Sequence, residues 1–490
     1  MRSLSLVISL ILLSEISVLL PSFHFFQRSF GDNQLCMDFI PLNTTIRLTC
    51  GSATLTDIYE VIEEYKVALK GFGNIELIDK ESKDGIWLLN SNLVIGSNSS
   101  FTIDSTDTKW LKIYSDGKEA YSIKVFGNMK IDSVKITSWD TEEDDYYYTT
   151  KGDSSDRRAY ISIMGKATGT TNITNSELAF LGYNSTLEEE HTPSNGISYY
   201  GGQGSILRGN NIHSNNFGFY SAYVGGLLIE NNRIHHNTYY GMDPHSGTHD
   251  TIIRDNIVHD NGKMGIICSQ RCRNITIEDN DVYNNVGSGI SLSIDMQNSI
   301  VRNNHVYNQD EDGENGISIS ESDNNQIYDN KVAFSDTGIK IINNSSNNRV
   351  YDNSLHGIND YAILVRGSTS ANNTLENNDI DSAKKAVRLN NNTATLLKSN
   401  DNKDTTSYGH GYLVQNNSTL NFEKTVFPSW RSIIADNSSN NMVNIHDSGR
   451  IIVRDMEGNS TNFGTDVLPF ISRIYNETLS IISYNSTLVK

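Results

Sequence analysis

The sequence predicts an all-β protein, a right-handed parallel β-helix with an N-terminal capping helix and a C-terminal β-rich region. Three observations carry this. First, an Asn recurs about every two dozen residues from about Ser205 to Ile380, as Asn210, Asn232, Asn256, Asn280, Asn304, Asn330, Asn353 and Asn378. Second, a glycine ladder keeps step with it: Gly218, Gly241, Gly265, Gly289, Gly316 and Gly338, then Ala362, each followed by an apolar residue from Phe219 and Met242 to Ile363. Third, the runs between the ladders, such as "ITIEDN" and "GISLSI", alternate apolar and polar residues and are too short for a helix. A fixed period of this size means stacked supersecondary units, one repeat per coil. A leucine-rich repeat or a propeller would need a helix or a four-stranded blade that the repeat lacks. The recurrent Asn is expected in a turn with left-handed backbone, its amides stacking inside the solenoid.

In chain order, the first element is "MRSLSLVISLILLSEISVLLPSFHFF", one Arg and then a long apolar run. Residues 1–30 are expected to be a signal peptide or a membrane anchor. Glu15 favours the cleaved signal, because a carboxylate at mid-bilayer is costly. Residues 31–84 form the N-terminal cap. Cys36 and Cys50 could clamp it with a disulfide, which suits an oxidising compartment. "TLTDIYEVIEEYKVALKG" reads as an amphipathic helix, with Thr or Asp to cap its start, Ile58, Val61, Ile62 and Tyr65 on one face, and Gly71 past its end. A solenoid needs its open end covered, and this helix is the candidate. Residues 85–400 form the β-helix, with the best-matched coils over 205–380. The insert "WDTEEDDYYYTTKGDSSDRRAY" is too polar and irregular for a coil and reads as a loop over one face. After about Asn400 the period fades, and 401–490 reads as β structure of another kind, a cap or small domain.

The net charge of −19 over 490 residues argues against nucleic acid, because phosphate binding needs clustered Lys and Arg. It does not exclude an anionic polysaccharide bound at a local basic site. Sequons recur, among them Asn43, Asn98, Asn172, Asn184 and Asn274, in keeping with a secreted or cell-surface protein. No segment after the first is long and apolar enough to span a membrane, so membrane contact is expected only through an uncleaved N-terminus. A monomer is expected. Cys268 and Cys272, in "CSQRC", are too few for a four-ligand zinc site; they read as a second disulfide or as two quiet thiols. "NQDEDGENG" at Asn308–Gly316 could hold calcium but departs from known calcium loops and reads as a solvated loop.

The stretch "YYGMDPHSGTHD" concentrates carboxylates and histidines on one coil. Met242 belongs to the inward ladder, so alternation turns Asp243 and His245 outward, and Tyr240 with them. Pro244 turns in, beside Cys268 and Leu292. The His245 position on neighbouring coils holds Ala222, Ser269 and Ser293, and Arg271 lies one coil on. A second column, His213, His235, His259, Tyr283 and Tyr307, reads as a stack of similar turn residues or a platform for sugar rings.

The run from "NNFGFYSAYV" through Tyr240, Gly241, Met242, Asp243, Pro244 and His245 to "DNIVHDNG" resembles the catalytic region of the alginate (mannuronan) C5-epimerases, chiefly between about Ser205 and Asn285. The resemblance implies a right-handed β-helix with a groove for a polyuronate. It carries the role of base to His245, that of acid or base on the opposite face to Tyr240, and an assisting role to Asp243. The chemistry fits these residue types. The proton α to a carboxylate is a poor acid until a cation or hydrogen bonds neutralise the carboxylate, and His is the natural base near pH 7. No cofactor is required. The family's neutralising Arg follows a "GII-x-S" run, but here "GIICSQRC" puts Gln270 in that place and Arg271 one step later. A one-residue shift turns a strand residue to the other face, so Arg271 serves only where the strand has already ended. Arg208, Arg254 and Lys263 are the substitutes. Ser246, after the His, is a second departure. The rival readings are a lyase, reached if the same intermediate expels O4, and a non-catalytic glycan-binding surface protein.

Overall fold

The computed structural model describes residues 27–390, apart from 31–32, 70–75, 83, 149–155, 184–193, 310–313 and 368, and beyond 390 a series of strands ending at Tyr484. The apolar N-terminal run and the middle of the acidic loop considered for calcium lie outside the described residues.

The chain folds as a parallel β-solenoid. One coil contributes three strands, for example Phe217–Ala222, Leu228–Glu230 and Arg233–His235, before Met242–His245 opens the next. Each pairs in parallel with its counterpart one coil on, as in Phe219↔Met242, Leu228↔Ile252 and Arg233↔Ile257. The three resulting faces are called sheets 1, 2 and 3. Phe219, Met242, Ile266, Ile290, Ile317, Ile339 and Ile363 stand in register on sheet 1. They belong to one continuous apolar core running from Leu35 to Leu389. The glycine before each of them up to Ile339 meets a close approach: a Cβ on Gly241 would lie 2.5 Å from the Gly265 carbonyl oxygen and 2.6 Å from a Val258 methyl.

The Asn ladder is inside the solenoid, as expected. Asn232 Nδ2 donates to Asn256 Oδ1 at 3.0 Å and to the Leu207 carbonyl at 2.8 Å, and Asn256 Oδ1 also accepts the Asn232 backbone N–H. The left-handed residue, however, is not the ladder Asn but the one before it. Gly209, Asn231, Asp255, Asp279, Asn303, Asp329, Asp352 and Asn377 all have φ between 51° and 68°. The bend between sheets 2 and 3 is made by that outer residue, and the following Asn is thereby turned inward. A second amide ladder, Asn215, Asn237, Asn261 and Asn285, was hidden in the same repeats and lines the bend from sheet 3 to sheet 1.

At the N-terminal end, Cys36 and Cys50 form a disulfide between antiparallel strands, with Cα atoms 4.9 Å apart. Helix α1, Leu55–Glu64, starts at a capping box made by Thr54 and Asp57 and buries Leu55, Ile58, Val61 and Ile62 in the core. The polar insert lies over sheet 3: Tyr146 stacks on Phe180 at 4.6 Å and meets Trp110 and Trp139. Past residue 400 the sequence period fades but the parallel pairing does not. Tyr412–Gln415, Ser432–Ala435 and Ile451–Asp455 continue sheet 1 in turn. Backbone pairing carries the ladder there without the Asn signature, which corrects the expectation of a different kind of β structure. Antiparallel pairs close the series.

Candidate functional site

Sheet 1 carries the motif. Tyr220↔Asp243 and Ala222↔His245 stand side by side, so Asp243 and His245 occupy the outward rows that alternation predicts. Outward is not exposed here. Asp243 is only 3% exposed, and His245 and Tyr240 are half-buried. Alternation sets the row of a residue and not its exposure. The cover is aromatic: Tyr220 adjoins Tyr200 at 5.7 Å and Phe217 at 6.0 Å, and Phe217 meets Tyr240 edge-on at 5.3 Å.

Burial decides the protonation states. It pushes the Asp243 carboxyl up to about 8, and Asp243 Oδ1 makes no hydrogen bond, so the group keeps its proton at neutral pH. Burial also raises the phenol of Tyr240, with the nearby Asp243 adding to it, and takes Tyr200 up to about 12. The same force lowers His245 below the ordinary imidazole value, which keeps it neutral.

His245 is also oriented. Its Nδ1 lies 2.7 Å from Ser246 Oγ and 3.4 Å from the Tyr220 hydroxyl. Ser246 Oγ donates to Gln270 Oε1 at 3.2 Å. With the serine proton committed to Gln270, the serine oxygen accepts from Nδ1–H. The lone pair is then on Nε2, free to take a proton. Ser246 and Gln270, the two departures noted in the sequence, are therefore partners of one another.

The cation candidates separate. Gln270 and Arg271 have φ of 59° and 65°, so the strand has ended at Ser269 and Arg271 stands exposed on the turn beside this face. Lys263 holds its ammonium 4.9 Å from the Tyr239 ring and 5.7 Å from that of Tyr240. Arg208 and Arg254 are on sheet 2, and each is bound to Glu230, which removes both from the His245 face. Cys268 and Cys272 are free and buried, not disulfide-bonded. Cys268 packs into the core row, while the Cys272 thiol turns to the Ser269 carbonyl at 3.1 Å. His213, His235, His259, Tyr283 and Tyr307 lie on strands of sheet 3, not in turns. Their rings stack 4.8–5.0 Å apart with planes within 16°. Each face is covered by the next ring, so only edges meet solvent, and the column does not offer the ring faces that sugar stacking needs.

Sequence reasoning missed Tyr220, Tyr200 and Phe217. The signal for Tyr220 was present: it follows Phe219 as Asp243 follows Met242, one repeat apart.

Two family descriptions match parts of the chain. That of a periplasmic copper-binding protein (NosD) matches residues 183–363, and that of a right handed beta helix region matches residues 292–455; neither spans half the chain. Among the described residues no three His, Cys, Asp or Glu side chains converge to hold a metal ion. No curated protein matches. Among solved structures, the periplasmic alginate epimerase AlgG is similar at 18% identity, with 90% of this chain and 85% of that one covered and a TM-score of 0.53. The Azotobacter vinelandii mannuronan C-5 epimerase AlgE6 A-module is 15% identical over 75% of this chain and 91% of that one, with a TM-score of 0.34. Dettilon tailspike protein is 16% identical over 67% and 60%, also with a TM-score of 0.34. The likeness to AlgG and the match to the right handed beta helix region show the fold, a right-handed β-helix.

Proposed function

We propose that the protein is a C5-epimerase acting on a uronate-containing polysaccharide of the mannuronan or alginate kind. The observation that carries this is His245: neutral through burial, its Nδ1 tied to Ser246, its Nε2 free, and Tyr240 on the same coil. In this reading Nε2 takes the C5 proton and the bonding pair moves into the carboxylate, which becomes an enediolate. Arg271 or Lys263 offsets the charge of that carboxylate. Tyr240, kept neutral by burial, gives a proton to the opposite face of C5 and inverts it. Solvent then returns His245 and Tyr240 to their starting states. Asp243, beneath the tyrosines and protonated, keeps negative charge away from a site that must receive an anion. No step calls for a cofactor. The Cys36–Cys50 disulfide supports an extracytoplasmic location.

The test is incubation with polymannuronate in D₂O. Deuterium at inverted C5 without unsaturated chain ends supports epimerisation. Unsaturated ends mean the intermediate expels O4 and the site is a lyase. Neither outcome, with the protein folded, removes the enzymatic reading.

A further inference from the structure

Ile294 adopts φ 57°, and it is the only aliphatic residue among the described residues in the left-handed region. A β-branched side chain there is strained, and such strain persists where surrounding structure or function demands it. The other left-handed bends are made mostly by Asn, Asp and Ser. Phe334, also left-handed, has a packing reason: its ring fills the space a Cβ on Gly357 would take. The bend at Ile294 is one the coils share, since Ser246, Gln270, Glu321 and Asn343 are left-handed at the same place; what sets Ile294 apart is that an aliphatic side chain occupies it. Ile294 is 44% exposed, an apolar side chain held toward solvent.

Its place is specific. Ile294 follows the sheet 1 strand Ile290–Ser293 and stands one coil beyond Gln270, whose side chain holds Ser246 and so orients His245. The Arg271 backbone N–H donates to the Ile294 carbonyl at 2.8 Å, which makes a cation and an exposed aliphatic group neighbours on one rim. Two coils separate Ile294 from Ser246, about 10 Å at the spacing of adjacent strands. On the other side of the same rim Tyr223 is 69% exposed above Gly247.

We infer that Ile294 is a substrate-contact residue, packing against the C–H face of a pyranose ring one or two units along the polymer from the residue held at His245. A uronate unit presents an apolar C–H face and a carboxylate, and Ile294 beside Arg271 matches both. The inference rests on the polyuronate reading of the His245 site.

The experiment compares wild type with Ile294→Asn and Ile294→Leu, measuring melting temperature and steady-state kinetics on polymannuronate. Asn relaxes the left-handed turn and removes the apolar group. It should raise the melting temperature and raise KM about fivefold, the loss of one half-exposed aliphatic contact, with kcat little changed. Leu keeps the apolar group and should hold KM within about twofold of wild type. An Asn variant with wild-type KM overturns the inference and leaves the epimerase reading standing. So does an Asn variant that melts earlier, because the residue is then structural. A wild-type protein that neither binds nor turns over polymannuronate overturns both.

Discussion

The hydroxyl of Ser246 lies 2.7 Å from Nδ1 of His245, and this contact selects which imidazole nitrogen is basic. The base and the residue that orients it are adjacent in sequence because Ser246, at φ 36°, begins the turn and folds its side chain back along the strand end.

Removing the base and removing its orienter should therefore differ. His245→Ala should lower turnover by about two to four decades while leaving the melting temperature near that of wild type, since a half-buried residue outside the core carries little of the fold. Ser246→Ala should lower kcat by roughly tenfold, the value of one hydrogen bond, with KM retained. Equal losses in both variants would show that His245 acts in some way other than through its tautomer.

The pH profile should be bell-shaped. His245 must be neutral, and its pKa is lowered by burial, so the acid limb falls below pH 6.5. Asp243 must be protonated, so activity falls as pH passes about 8. Asp243→Asn should abolish the alkaline limb and keep the acid one.

Asp243 also ties stability to pH. Its folded pKa of about 8 lies above the model-peptide value of 3.8. Below the unfolded value both states are protonated and nothing is lost. As pH rises from about 4 to about 8 the unfolded chain releases the proton and the folded one does not, so stability declines across that window. Asp243→Asn should remove the decline. Melting curves at pH 4 and pH 8 for the two proteins check it, and parallel pH dependence would contradict the assignment.

An interior ladder residue should matter more than its neighbour in the bend. Asn256→Ala leaves the Asn232 backbone N–H and the Ile229 carbonyl without their side-chain partners and should cost about 3 kcal/mol. Asp255→Asn, at a left-handed position that either residue tolerates, should change stability by less than about 0.5 kcal/mol. Denaturant unfolding of both variants distinguishes them.

Thiol reagents provide a check on the cysteines. Burial raises the Cys268 thiol well above its ordinary value and takes Cys272 up to about 12. Neither should react in the native protein, and both should react after unfolding without prior reduction. An unfolded, unreduced protein in which no thiol reacts would restore the second disulfide.

The repeat made the solenoid legible because each coil reuses the same solution at the same place: Asn at one bend, Gly where a Cβ would strike the next carbonyl, an aliphatic residue beyond it. Row assignment followed from alternation, and Asp243 and His245 are in the rows foreseen. What alternation could not supply was cover. Tyr220, Tyr200 and Phe217 reach over the strand surface from other coils, and their reach depends on side-chain length and direction, not on period. The fate of Arg208 and Arg254 was hidden for a related reason: their partner Glu230 is one coil away from each, a relation visible only when the repeats are laid side by side. The left-handed residue was misplaced by one because Asn stands at both positions in several repeats, as in Asn231–Asn232 and Asn303–Asn304.

The asparagine stack has a bearing on how such a molecule can change size. Each ladder amide presents to the coil above what the coil below presents to it, as Asn232, Asn256 and Asn280 do in succession. The lower edge of one turn is then chemically interchangeable with the lower edge of the next. A whole turn can be duplicated or excised, through ordinary unequal recombination, without leaving an unmatched donor or acceptor at the joint. An insertion of half a turn has no such freedom. Length in this architecture is therefore quantised, and it can be selected to suit the span of whatever lies along the sheet while the few turns around His245 stay as they are.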